Sequence, residues 1–241
     1  MTTAPTPVLR GHTPRLLHFA FLAILVILAG TAAVLLARHW GTAWSAKTVV
    51  RGSGIAVTQS RTVPPFTAVD LAGPNNLTIH VGKQQAVVVE ADDNLIDLVT
   101  TDVQSGTLVV GTKERITTEH PMSVDVTVAT LDAVILSGSG VITVEGVETE
   151  QVSVRVPGSG VLTMSGTAEQ LDVSLAGSGD VQLQDLVARD VTAALSGTGQ
   201  IVVHATGSLD VSVPGAGVIV YSGNPSNVTR NVTGTGAVTN Q

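Results

Sequence analysis

Asp172 and Asp210 are the two side chains whose type and spacing come nearest to a catalytic pair in this sequence. Each stands five residues before a Gly-x-Gly triplet, and one further triplet lies between them. If the triplets mark successive stacked strand layers, the two backbones are two layers, or about 9.6 Å, apart. Inverting glycosidases hold their carboxyl groups roughly 6.5–9.5 Å apart. The plainer reading is single aspartates on a solvated face, and it is the one adopted. Other candidates carry less. His80, His120 and His204 are isolated, with no two at metal-ligand spacing. Gly179-Asp180 beside Asp185 hints at a calcium-binding glycine-aspartate repeat, but the other triplets lack the aspartate. Ser139, Ser159 and Ser178 sit inside triplets without a partnered histidine, so they make poor nucleophiles. Glu150, Glu169 and Arg189 each stand eight residues before a triplet, and Glu169 with Arg189 predicts an exposed ion pair between layers. Asn76, Asn227 and Asn231 head N-x-T sequons, to which no role is given. No catalytic, cofactor-binding or metal-ligating residue is therefore assigned, no cofactor is expected, and the chain is read as a non-enzyme.

The triplets themselves are the strongest pattern. They run Gly138–Gly140, Gly158–Gly160, Gly177–Gly179, Gly197–Gly199, Gly215–Gly217 and Gly234–Gly236, with starts 20, 19, 20, 18 and 19 residues apart. A steady period over about a hundred residues signals a solenoid. Two residues after the triplets come Ile142, Leu162, Val181, Ile201, Ile219 and Val238; two before come Leu136, Val156, Leu175, Leu195, Val213 and Val232. The positions four away are also apolar, broken only by Arg230 and Asn240 in the last repeat, and polar residues alternate between them. Period-two alternation on both sides of a corner predicts strands with one face in and one face out. Glycine at the corner is expected to supply positive φ. The general handedness of parallel crossovers makes the coil right-handed. Val69, Leu71, Leu77 and Ile79 repeat the register around an altered corner, Gly73-Pro74-Asn75. Between them and the regular array, Val87–Glu90, Asp92–Val99 and Thr107–Val110 read as strands around a short helical turn, a cap over the N-terminal end.

Composition agrees with a narrow β architecture. Hydrophobic residues make up 44% and aromatics only 2%, so Val, Leu, Ile and Ala must fill the core. Absence of cysteine excludes disulfides and thiolate metal sites. All 19 acidic residues lie from Asp70 onward, while only seven basic ones follow Gly52, a net −12 for that part. Such a body excludes nucleic acid as a partner and is repelled by anionic lipid.

Leu16 to Ala37 reads LLHFAFLAILVILAGTAAVLLA without one Asp, Glu, Lys or Arg. Its 22 residues, at about 1.5 Å rise each, cover a hydrocarbon core of roughly 30 Å. Arg15 and Arg38 bracket it, and Trp40 and Trp44 stand at interfacial positions. The run exceeds the 7–15 residues of a cleaved signal's apolar region, so a transmembrane helix is expected, N-terminus inside. Charge alone does not orient it: Arg10 and Arg15 face Arg38, Lys47 and Arg51. The expected organisation is a disordered head at 1–15, a transmembrane helix at 16–37, a juxtamembrane stalk at 38–61 and a β-solenoid at 62–241, with Arg51 to Arg61 read as stalk or as an outlying strand. Within the solenoid, 62–120 form the irregular first rung and cap, and 121–241 the regular rungs of about 19 residues.

Phe66-Thr67-Ala68-Val69-Asp70-Leu71, Glu90-Ala91-Asp92-Asp93-Asn94-Leu95, Gly106-Thr107-Leu108 and the Gly-Ser-Gly corners together resemble the putative auto-transporter adhesin, head GIN domain family, a bacterial domain of poorly defined function. The resemblance runs from about Gly52 to Gln241, with Gly73-Pro74-Asn75 departing from the expected corner. It implies an extracytoplasmic β-helix. The expected function is a membrane-anchored, extracytoplasmic, non-catalytic binding, adhesion or cell-envelope structural module. The alternative is a carbohydrate-binding or carbohydrate-cleaving protein using outward carboxylates. Beyond the membrane and an unidentified envelope ligand, weak end-to-end self-association is expected, because no acidic residue follows Asp210 to guard the last rung.

Overall fold

A computed structural model of the chain describes residues 49–82, 84–118 and 120–241. The expected span Leu16–Ala37, the head before it and residues 38–48 of the stalk lie outside the described residues. Among the described residues no helix is long and apolar enough to cross a membrane.

The elements run β1 (Val50–Arg51), β2 (Ala56–Arg61), β3 (Ala68–Leu71), β4 (Asn76–Val81), β5 (Ala86–Asp92), a 3-10 turn (Ile96–Leu98), β6 (Val99–Gln104), β7 (Thr107–Thr112), β8 (Ile116–Thr117), β9 (Ser123–Val128) and β10 (Ala133–Leu136). The long strands follow: β11 (Val141–Val156), β12 (Val161–Leu175), β13 (Asp180–Leu195) and β14 (Gln200–Val213), then β15 (Val218–Ser222), β16 (Asn227–Val232) and β17 (Ala237–Asn240). They form a β-solenoid of about 5 turns.

From β10 onward every pairing is parallel and places equivalent residues on top of one another: Ile142 on Leu162, Val144 on Met164, Val156 on Leu175. The apolar columns are the core. Ile142, Leu162, Val181, Ile201 and Ile219 are all fully buried, as are Leu136, Val156, Leu175, Leu195 and Val213. The last repeat departs: Val232 is 44% exposed. Arg230, which interrupts its column, turns back over Tyr221, with its guanidinium 5.2 Å from the ring centre and a hydrogen bond to the phenol oxygen. Arginine thus covers the last large core side chain instead of joining the core.

One expectation is corrected. No corner glycine has φ in the left-handed region; among the described residues positive φ falls on Gly54, Ser105, Gly106, Gly146, Gly166 and Gly223. The corners need glycine for close approach. A β-carbon on Gly160 would meet the Gly140 carbonyl oxygen at 2.0 Å, and one on Gly197 that of Gly177 at 1.8 Å. That same carbonyl accepts the next corner's amide, Thr198 N to Gly177 O at 3.2 Å. Within the segment expected as stalk or outlying strand, Val50–Arg51 and Ala56–Arg61 are strands: β1 pairs β8, and β2 pairs β5 antiparallel. Val57 packs on the core, which draws this segment into the array.

Each rung also has a middle segment between its two regular arms. Last inward residue of the first arm to first of the second is 8 residues in β11 (Val144 to Val152), 7 in β12 (Met164 to Leu171), 8 in β13 (Leu183 to Val191) and 6 in β14 (Val203 to Leu209). All variation in rung length is absorbed there, and there the register breaks, between Val144 and Val147 and between Leu183 and Val187.

At the N-terminal side the β3–β4 rung lies directly against the regular array, with Val69 beside Val134 and Leu77 beside Ile142. The later strands β7 and β9 sit outside it, and β5, β2 and β6 close that side antiparallel. Antiparallel closure ends the stacking, because a reversed strand cannot offer a following rung the same register.

Candidate functional site

Alternation leaves the outward columns as the surface on which function must be built, and open grooves lie along them among the described residues. The first, about 570 Å³, runs over the middle segments of β11 to β14. Glu148, Glu150, Glu169, Arg189, Val187 and Thr206 are among its lining residues. Arg189 is its hub: Nε lies 3.0 Å from Glu169 Oε2 and Nη2 lies 2.9 Å from Asp190 Oδ2. The expected Glu169–Arg189 pair is thus present, joined by a second carboxylate. With Arg189 and Glu169 more than half exposed, their pair is worth about 0–1 kcal/mol. Asp190 is tied further, its Oδ1 accepting hydrogen bonds from Ser208 N at 3.1 Å and Ser208 Oγ at 2.6 Å. The Ser208 hydroxyl, then Arg189, hold the Asp190 carboxyl below its ordinary value against a smaller opposing effect of desolvation than that hydroxyl's.

The second groove, about 560 Å³, crosses the first arms of β13, β14, β15 and β17. Gln184, Gln200, Val202, Val220, Asn240 and Gln241 are among its lining residues, and no lining side chain is charged. Val202 points outward between Ile201 and Val203, yet is only 7% exposed. Its register neighbours are Gln182 and Val220. Sequence reasoning missed this groove. Its signal was the change in one outward column from Thr143 and Thr163 to Gln182, Val202 and Val220.

Asp172 and Asp210 do occupy one outward column, joined through Thr192, but neither lines a groove described above. Asp172 Oδ2 accepts a hydrogen bond from Gln151 Nε2 at 3.2 Å. The three histidines stay apart. His80 Nδ1 is 3.4 Å from Glu145 Oε2, His120 Nδ1 is 3.8 Å from Asp92 Oδ1, and His204 Nδ1 is 3.3 Å from Ser222 Oγ. Asp180 Oδ1 accepts from Gln182 Nε2 at 2.7 Å, while Asp185 is exposed. Among the described residues no three His, Cys, Asp or Glu side chains are grouped to hold a metal ion. Phe66 and Tyr221 are both buried, so neither offers a stacking platform.

One polar cluster is internal. The Asp92 side chain is fully buried. Thr118 Oγ1 lies 2.9 Å from Asp92 Oδ2 and 2.8 Å from the His120 carbonyl oxygen, so one hydroxyl proton serves two acceptors. Gly52 lies so close that a β-carbon there would meet Asp92 Oδ2 at 1.7 Å. Asp92 therefore joins the end of β5, the segment before β2 and the loop after β8, a structural role.

Residues 65–225 match the model of a family described as "Putative auto-transporter adhesin, head GIN domain". No curated protein matches the chain. Among solved structures, a putative adhesin from Bacteroides fragilis is similar at 22% identity and a TM-score of 0.66, over 80% of this chain and 100% of that one. A protein from Parabacteroides distasonis titled a putative lipid binding protein is similar at 19% identity and a TM-score of 0.51, over 80% of this chain and 100% of its own. Likeness at these identities shows the fold.

Proposed function

Because the chain belongs to the family described as "Putative auto-transporter adhesin, head GIN domain", we propose that it is a membrane-anchored, extracytoplasmic binding module without catalytic activity. The observation that carries this reading is the pair of open grooves on regular outward faces, neither lined by the one spaced aspartate pair, Asp172 and Asp210. Side chains fill the interior columns, so recognition falls to the outside of the solenoid. Leu16–Ala37 is the anchor, crossing once with the N-terminus inside. The acidic body then stands off an anionic membrane surface. The coil is right-handed, as parallel crossovers are.

Protease added to intact cells tests the display. Trimming of the body to a small membrane-bound stub is expected, and full protection of the body refutes the orientation. Pull-down of envelope components with the full-length chain tests the binding role; recovery of none under conditions that leave the body folded refutes it. Carbohydrate binding is the second reading, favoured by the amide-lined groove; Asp172 and Asp210, the pair that cleavage would use, line neither groove. Among the described residues β16 and β17 are the outermost strands on their side, and weak pairing of two copies through them belongs to the same proposal. Sedimentation showing a strict monomer at high concentration refutes that pairing.

A further inference from the structure

The groove over β13, β14, β15 and β17 is built unlike the rest of the surface. Its central column passes from Gln182 to Val202, Val220 and Thr239, one residue per rung. Four rungs at about 4.8 Å spacing give it a run of roughly 14 Å along the solenoid axis. Gln184, Gln200, Asn240 and Gln241 stand around it, and among the described residues their side-chain amides bond to nothing. Gln182 is tied by its nitrogen to Asp180. The result is an apolar strip of two valines flanked by free amides, each with donor and acceptor capacity.

These features narrow the ligand class. With no charged lining side chain, the groove offers no side-chain charge to a polyanion or a polycation. An extended peptide gains affinity by pairing with a sheet edge. Here the groove lies across a sheet face, where the backbone groups of β13, β14 and β15 are already used between rungs. A neutral polyhydroxylated chain suits what remains: amides exchange hydrogen bonds with its hydroxyls while its C–H faces lie on Val202 and Val220. We propose that this groove binds a linear, neutral polysaccharide lying parallel to the solenoid axis. The assignment rests on the reading of the protein as a displayed binding module, and it names that module's ligand class. Without an exposed aromatic ring the single-site affinity is weak, and display of many copies on one surface raises it by multivalency.

The test uses the full-length chain in lipid nanodiscs, titrated with cellohexaose and chitohexaose, and with a hexamer of galacturonic acid as the anionic control. Calorimetry and the side-chain amide signals of Gln and Asn are the readouts. One or both neutral hexamers are expected to bind and to shift the Gln184, Gln200 and Asn240 amides, with the anionic hexamer weaker. The double variant Gln184→Ala/Gln200→Ala should bind about tenfold more weakly, the loss of two net hydrogen bonds, while its circular dichroism is unchanged. Asp172→Asn, outside both grooves, should bind as the parent does. No binding of either neutral hexamer, equal binding of the anionic one, or full binding by a folded double variant overturns the assignment. Capture of envelope components by a chain that takes no neutral hexamer overturns the groove and leaves the binding module standing. Hexamer binding by a chain whose body is never exposed on cells overturns the display and leaves the groove.

Discussion

A β-carbon on Gly158 would lie 2.0 Å from the carbonyl oxygen of Gly138, one rung away. Neither partner can yield, because both belong to the stacked backbone and Ser159 N donates to that same oxygen at 3.1 Å. Gly146 has another reason to be glycine: its φ is +74°, while the nearest atom to a β-carbon there is 3.6 Å away.

These two requirements separate by mutation. Asparagine adopts positive φ readily, so Gly146→Asn should cost under about 1–2 kcal/mol. Gly158→Ala and Gly158→Asn should both cost about 1–3 kcal/mol or more, as overpacking does. Denaturant unfolding measures the difference; equal sensitivity at the two sites would mean that corner stacking is not the constraint.

Adjacent residues of β12 test the in-out register. Leu175 is fully buried and Ser174 is exposed. Leu175→Asp places an unpaired carboxylate in the core and should cost several kcal/mol, about 3–5. Ser174→Asp should stay within about 0.5 kcal/mol. Similar losses at both positions would contradict the register.

Thr118→Val removes the hydroxyl that reaches the buried Asp92 carboxylate and should cost about 1.5–3 kcal/mol. His120→Ala should cost less than about 0.5 kcal/mol, since its ring is 59% exposed and 3.8 Å from Asp92. A larger effect from the histidine would move the structural role to the Asp92–His120 pair.

The Asp190 carboxyl titrates below its ordinary value, chiefly through the Ser208 hydroxyl. A lowered folded value means that the stability from ionised Asp190 is present above the ordinary carboxylate range and lost as pH falls through the depressed value. Ser208→Ala should raise the Asp190 value towards normal, read from its carboxyl carbon shift in an NMR titration. An unchanged titration in the variant would show that Arg189 and the Ser208 amide set it.

The rungs were legible in the sequence because corner and core are local. Residues within six positions of each Gly-x-Gly triplet meet equivalent residues of the next rung, so Leu162, Met164, Val173 and Leu175 declare themselves by alternation alone. Glu169 and Arg189, eight residues before their triplets, could be paired because spacing counted back from the corner still holds at the end of the middle segment. The rest of the middle segments was not legible: their length varies and alternation breaks at Gly146 and Gly166.

By itself the sequence determined the in-out columns, the stacking period, the acidic body and the uncharged run Leu16–Ala37, since each is a property of composition or of fixed spacing along the chain. Tertiary structure alone decided where the grooves lie. It brought Gln184, Gln200 and Gln241 around Val202 from three rungs, and it placed the β3–β4 rung between later strands. It also settled why the corners are glycine. Local backbone preference suggested positive φ, whereas the cause is the carbonyl of the neighbouring rung, an atom some 20 residues distant along the chain that only stacking brings to 2.0 Å.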